Sequence, residues 1–177
     1  MTDLSADQRW LLYAMGGWAI RDCLISPAGT DHLMQSMWGS VGRTHPEGGP
    51  QWLTGWDTHG GKITAPSASN RRVTITKAQI NAYARTLPAD VRDELLVLRS
   101  EDQAEHQRTN GWCHCPWANT PPNAHSGPCT RYHPTADEDN DHWDALNRIE
   151  NRLDNLLRHA LNIGATTARQ LALFDAP

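Results

Sequence analysis

A chain of 177 residues that is 38% hydrophobic, with one Phe and three Tyr but eight Trp, has room for a single domain, residues 1–177, with a core expected from Leu and Trp. Its net charge of −4 is uneven: residues 62–99 carry seven Lys or Arg against three acids, while residues 100–144 carry two against eight. That layout lacks the basic balance of a dedicated nucleic-acid binder. The apolar run at residues 10–20, flanked by Asp3 and Asp7, is too short to span a bilayer and wrongly charged for a signal peptide.

A cytoplasmic protein without membrane association is therefore expected. Arg outnumbers Lys fourteen to two, a codon bias that points to a high-GC, actinobacterial type of genome or its phage. In a reducing compartment, clustered cysteines are expected to bind metal rather than pair as disulfides.

In chain order, Ser5 with Gln8 forms a capping box, and Trp10, Leu11, Tyr13, Ala14, Trp18 and Leu24 follow at helical spacing, which predicts a helix over about residues 6–24. Gly16 and Gly17 weaken its middle and predict a kink or a close helix crossing there. Pro27 and Gly29 are expected to end it, and Thr30 to cap a second helix that carries Leu33, Met34, Met37 and Trp38 and stops near Gly42. Residues 43–70 are rich in Gly, Pro, Ser and Thr, which predicts a long loop or short strands that lack periodicity. The run "RRVTIT" predicts a strand, Thr76 with Gln79 a second capping box, and residues 78–85 a short helix. Pro88 opens an amphipathic helix with Val91, Leu95 and Leu98 as its stripe, widened by Leu96 and Val97. The longest helix carries Trp143, Leu146, Ile149, Leu153, Leu156, Leu157, Ala160 and Leu161, with Gly164 as its stop. Its stripe suits intrachain packing better than a coiled-coil seam. A monomer, or a homodimer through the helix at residues 143–163, follows. A last short helix is expected after Thr166 or Thr167.

Between the last two long helices lies "GWCHCPWANTPPNAHSGPCTRYHP", residues 111–134, with three of the four cysteines and almost no aliphatic side chain. Cys113, Cys115, Cys129 and His133 give C-x-C-x13-C-x3-H. These are four thiolate and imidazole donors of the kind that close a tetrahedral zinc site. His125 or His114 could replace His133. The prolines between the two corners reduce the freedom the loop must lose on ordering. An iron–sulfur cluster would need Cys23 as its fourth ligand, but Cys23 falls on a predicted helix among apolar residues and is expected to be a buried free thiol.

Other constellations carry alternatives. His45 and Glu47 form H-x-E within "HPEGGP", as in zinc deaminases, but the P-C-x-x-C that should follow is missing. Asp57, His59 and Lys62 in "GWDTHGGK" depart from the phosphate-loop pattern, because Trp56 stands where its first glycine belongs. The helices around Leu87 and Pro88 resemble a helix-turn-helix pair without its glycine turn. The expectation is a mainly α domain with at most one short strand pair and a zinc-stapled loop at residues 110–135. Its expected function is that of a non-enzymatic accessory or interaction protein. The alternatives are a zinc-dependent deaminase-like enzyme or hydrolase using His45 and Glu47, and a weak nucleic-acid binder using Arg71, Arg72, Lys77 and Arg85.

Overall fold

The computed structural model describes residues 3–15, 17–35, 40–41, 53–54, 61–66, 72–113 and 131–164. Three helices open the chain, α1 (Ala6–Ala14), α2 (Gly17–Ile25) and α3 (Pro27–Gln35). Four short strands follow, β1 (Ser40–Val41), β2 (Leu53–Thr54), β3 (Lys62–Pro66) and β4 (Arg72–Thr76), and then α4 (Lys77–Ala84), α5 (Ala89–Arg108) and α6 (Ala136–Ala160). The described residues are thus mainly helical. β3 and β4 form an antiparallel pair, and β1 and β2 add a two-residue ladder to the single pair expected. No helix among the described residues is long and apolar enough to cross a membrane.

The helix starts follow local hydrogen bonding. At Ser5 the hydroxyl accepts from Gln8 N–H at 3.2 Å and Gln8 Oε1 accepts from Ser5 N–H at 2.9 Å, a reciprocal pairing repeated at Thr76 with Gln79 and Thr135 with Glu138. Gln8 also donates its amide to the Thr74 carbonyl at 2.8 Å, tying α1 to β4.

The helix expected over residues 6–24 is instead two. α1 closes at Met15, whose N–H reaches the Leu11 and Leu12 carbonyls, and α2 restarts at Gly17. A Cβ at Gly17 would stand 3.1 Å from Leu153 Cδ2, so the glycine permits the close crossing of α2 over α6.

The next boundary also differs from expectation. Pro27 and Gly29 lie in the first turn of α3, and Thr30 sits inside that helix, fully buried. Ser26 supplies the cap, its Oγ accepting the Gly29 N–H at 3.2 Å. Proline at a first helical position costs no hydrogen bond, which is why it starts α3 rather than only stopping α2. A Cβ at Gly29 would fall 2.1 Å from the Asp22 carbonyl oxygen, so only glycine lets α3 fold back so tightly on α2.

β3 emerges from the Gly- and Pro-rich stretch. Ile63 pairs with Ile75 and both are fully buried, so two isoleucines in register anchor a strand whose own alternation is too short to show. On α5, Val91, Leu95 and Leu98 face the core as expected, but Leu96 and Val97 are 47% and 45% exposed. Positions one residue apart on a helix point too far apart to share the stripe. α6 buries Ile149, Leu153, Leu157 and Ala160 inside the chain, whereas Trp143 is 52% exposed. α6 ends at Ala160, before Gly164, and the chain turns out of it at Asn162. Asn162 adopts φ 53°, with Ile163 N–H donating to the Arg158 carbonyl at 2.8 Å and Asn162 N–H to the His159 carbonyl at 3.1 Å.

Among the described residues the core is chiefly Leu and Ile, whereas Trp38, Trp52, Trp56 and Trp117 of the expected Leu and Trp core lie outside them. Among the described tryptophans Trp10 joins the core and Trp18 packs at its edge. α5 and α6 run antiparallel, because Glu105 meets His142 while Glu94 and Glu101 both meet Arg152 at 2.7 and 2.6 Å. Tyr13 and Tyr83 fasten the far end of α6 by donating to Asp154 Oδ1 at 2.7 Å and to the Ala160 carbonyl at 2.6 Å.

Two glycine substitutions separate backbone from side-chain contact. Gly29→Ala must displace backbone and is expected to cost about 3 kcal/mol. Gly17→Ala displaces only the end of Leu153, and its helix-propensity gain holds the change within about 1 kcal/mol. Urea unfolding of both variants checks the contrast, and equal costs would refute it.

Candidate functional site at the mouth of the cysteine loop

The cysteine segment leaves the end of α5 and returns to the start of α6, and its two ends are clamped. After α5 ends at Arg108, the Thr109 hydroxyl donates to the Glu105 carbonyl at 3.1 Å, and Gly111 turns the chain at φ +93°, a conformation that favours glycine. Trp112 then pairs with Tyr132 in a parallel β-bridge, and Cys113 N–H donates to the Tyr132 carbonyl at 2.7 Å. Cys113 is 5% exposed. The bridge sets it beside the residue preceding His133.

Charged and aromatic groups surround this bridge. Arg108 donates to both oxygens of Glu105, at 2.9 and 2.5 Å, and Glu105 Oε1 lies 2.6 Å from Nδ1 of His142 on α6. Facing a carboxylate, that ring nitrogen carries the proton. His142 is 4% exposed, its ring meets Trp112 edge-on at 5.8 Å, and the Arg108 guanidinium lies over the other ring system at 4.9 Å from the Trp112 centroid. Tyr132 packs against Trp112 at 6.0 Å and donates its hydroxyl to Glu138, the same carboxylate that closes the α6 capping box.

These contacts set the electrostatics. The hydrogen bond from Arg108, joined by that from His142, holds the Glu105 carboxyl at about 2, well below its ordinary 4.5, against an opposing push from burial. The Thr135 backbone N–H, with the Tyr132 and Thr135 hydroxyls, lowers Glu138, and Tyr132 is raised in return by its bond to that carboxylate. Hydrogen bonds thus favour the charged form of both Glu105 and Glu138 at the mouth.

Of the four expected ligands, Cys113 is buried with a free thiol and His133 is exposed. Cys115 and Cys129 lie outside the described residues, as do His114 and His125. Among the described residues no three His, Cys, Asp or Glu side chains converge as a metal site. His45, Glu47, Asp57, His59 and Arg71 also lie outside them. Cys23 is buried and free, its thiol donates to the Gly29 carbonyl at 3.4 Å, and burial pushes it up to about 12. It is a core residue and not a cluster ligand. Lys77 is ion-paired with Asp31, whereas Arg72 and Arg85 are exposed.

Glu105, Arg108 and His142 were not legible as a group, because 37 residues separate Glu105 from His142 and no local pattern links them. The Thr135–Glu138 box was available as T-x-x-E before an apolar run. No family model, curated protein or solved structure matches this chain.

The depressed Glu105 carboxyl stabilises the fold fully above about pH 4.5, and that contribution is lost as pH falls from 4.5 towards about 2. Glu105→Gln is expected to cost about 2 kcal/mol at neutral pH, the scale of a charge-assisted hydrogen bond. It should also flatten the acid limb of the stability curve. Urea unfolding across that pH window checks this, and an acid limb identical to wild type would contradict it.

Proposed function

We propose that this protein is a non-enzymatic accessory or interaction protein whose loop at residues 110–135 is stapled by one structural zinc held by Cys113, Cys115, Cys129 and His133. The observation that carries the reading is the clamped mouth: the Cys113 N–H to Tyr132 carbonyl bond at 2.7 Å sets the first cysteine beside the residue that precedes His133. Both ends of the ligand pattern thereby start from one place, as a single tetrahedral centre requires. The segment between has almost no aliphatic side chain with which to build a core of its own, so a metal is the economical source of its order. Zinc bound there would supply folding energy to the loop. Trp143 and Tyr132, each 52% exposed beside the mouth, offer the aromatic surface that protein interfaces favour.

Protein purified without chelator is expected to carry about one zinc per chain, and Cys113→Ser and Cys129→Ser to lose it. Chelation should open residues 111–134, and only those, to protease. His45→Ala and Glu47→Ala should leave metal content unchanged, whereas loss of metal in His45→Ala would transfer the site to a catalytic centre. Metal-free wild type would end the zinc reading.

A further inference from the structure

At the other end of α5 from the cysteine loop, a cavity of about 150 Å³ opens between the α2–α3 turn, α4 and the first turn of α5. Its polar side chains include Ser26, Asn81, Arg85 and Arg92, set beside Leu24 and Ala84, and no Asp or Glu is among its described lining residues. Each of these side chains has a hydrogen-bond donor to offer. Ser26 Oγ already accepts the Gly29 N–H, which leaves its own hydrogen to donate. Asn81 Oδ1 accepts from the buried Thr30 hydroxyl at 2.8 Å, which assigns its NH2 as the outward group. Arg85 and Arg92 are exposed and form no ion pair among the described residues, in contrast to Arg99, which meets Asp22, and Lys77, which meets Asp31.

Two guanidiniums, an amide NH2 and a hydroxyl around a small concavity without a carboxylate match the demands of a tetrahedral dianion. Arginine forks fit phosphate oxygens in pairs, and the other two donors would satisfy the remaining lone pairs. We propose that this cavity binds a phosphate group, free or carried on a small phosphomonoester whose apolar body would rest on Leu24 and Ala84. The proposal is independent of the zinc loop, because Arg92 and Arg108 stand sixteen residues apart on α5, about 24 Å along the helix. Metal content and phosphate binding therefore fail or succeed separately.

The test is calorimetric titration of the full chain with inorganic phosphate, with phenyl phosphate and with a short single-stranded oligonucleotide lacking terminal phosphates, at about 0.15 M salt, where loose surface attraction is screened. Saturable one-site binding of inorganic phosphate is expected, weakened about tenfold by Arg85→Ala and again by Arg92→Ala. Arg72→Ala, an exposed cation on β4 outside the cavity, should leave it unchanged. Tighter binding of phenyl phosphate would identify a phosphomonoester as the preferred form, and equal or weaker binding would identify free phosphate. The proposal is overturned by the absence of saturable phosphate binding, by an equal loss in Arg72→Ala, or by binding of the oligonucleotide alone.

Discussion

The fold depends on burying α2, and α2 carries a charge into the interior. Arg21 is 5% exposed beside Ile20, Cys23 and Leu24, and α2 packs against α3, α4, α5 and α6. A guanidinium withdrawn from water costs several kcal/mol unless its charge is answered. Here Asp22 lies 3.0 Å away, Asp102 on α5 lies 3.7 Å away, and the Trp18 ring takes the cation at 4.5 Å. The match is incomplete, since Nη1 makes no hydrogen bond among the described residues. Such an arrangement gives little net stability. It favours one rotation of α2 against α5, because another rotation would carry the guanidinium away from Asp102 and leave only its neighbour Asp22 to answer its charge. With α2 so fixed, glycine at either end permits the two close approaches, Gly17 to Leu153 and Gly29 to the Asp22 carbonyl.

How much of this was legible in the sequence follows the range of the interactions. The caps at Ser5 and Thr76 each need only a hydroxyl and a Gln three residues later, and both form as their pattern implies. The stripes of α5 and α6 are periodic over several turns, and Val91, Leu95, Leu98, Ile149, Leu153 and Leu157 are all buried. β3 was hidden because its evidence lies in its partner: Ile63 becomes a strand residue by pairing with Ile75 across the sheet. The start of α3 was misplaced for a local reason. Ser26, Pro27 and Thr30 are all good helix-start residues, and the close approach of Gly29 to Asp22, invisible in one dimension, decides among them. Of the candidate site, the C-x-C-x13-C-x3-H spacing is a local pattern that a sequence displays, whereas the Arg108–Glu105–His142 relay that braces the mouth depends on two helices meeting.

That relay explains why a long excursion can begin and end at a fixed place. Closing a flexible loop costs entropy that rises slowly, by about 0.6 kcal/mol for each doubling of its length, so most of the cost lies in bringing the ends together at all. The antiparallel pairing of α5 and α6 already does so. Trp112 then packs edge-on against His142, while Tyr132 ties the returning chain to the α6 cap through Glu138. Helix packing, helix capping and loop closure thus share residues, and disturbing one should loosen the others.

The same sharing changes the meaning of the charge layout. Residues 62–99 are the most cationic part of the chain, yet net charge counts a residue whether or not the fold has already used it. Lys77 is held by Asp31, from α3, and Arg99 leans towards Asp22, from α2; both acids come from the negative first third of the chain. Folding therefore neutralises part of the stripe with carboxylates distant in sequence. Arg85 and Arg92 are exposed cations of the stripe that meet no carboxylate among the described residues, and both line one cavity. A diffuse stripe would attract a polyanion weakly along its length. Two adjacent guanidiniums over a small cavity favour instead a compact anion, because its charge can be met by both at once. The distinction between these two kinds of partner lies in the pairing of individual cations, which segment charge cannot register.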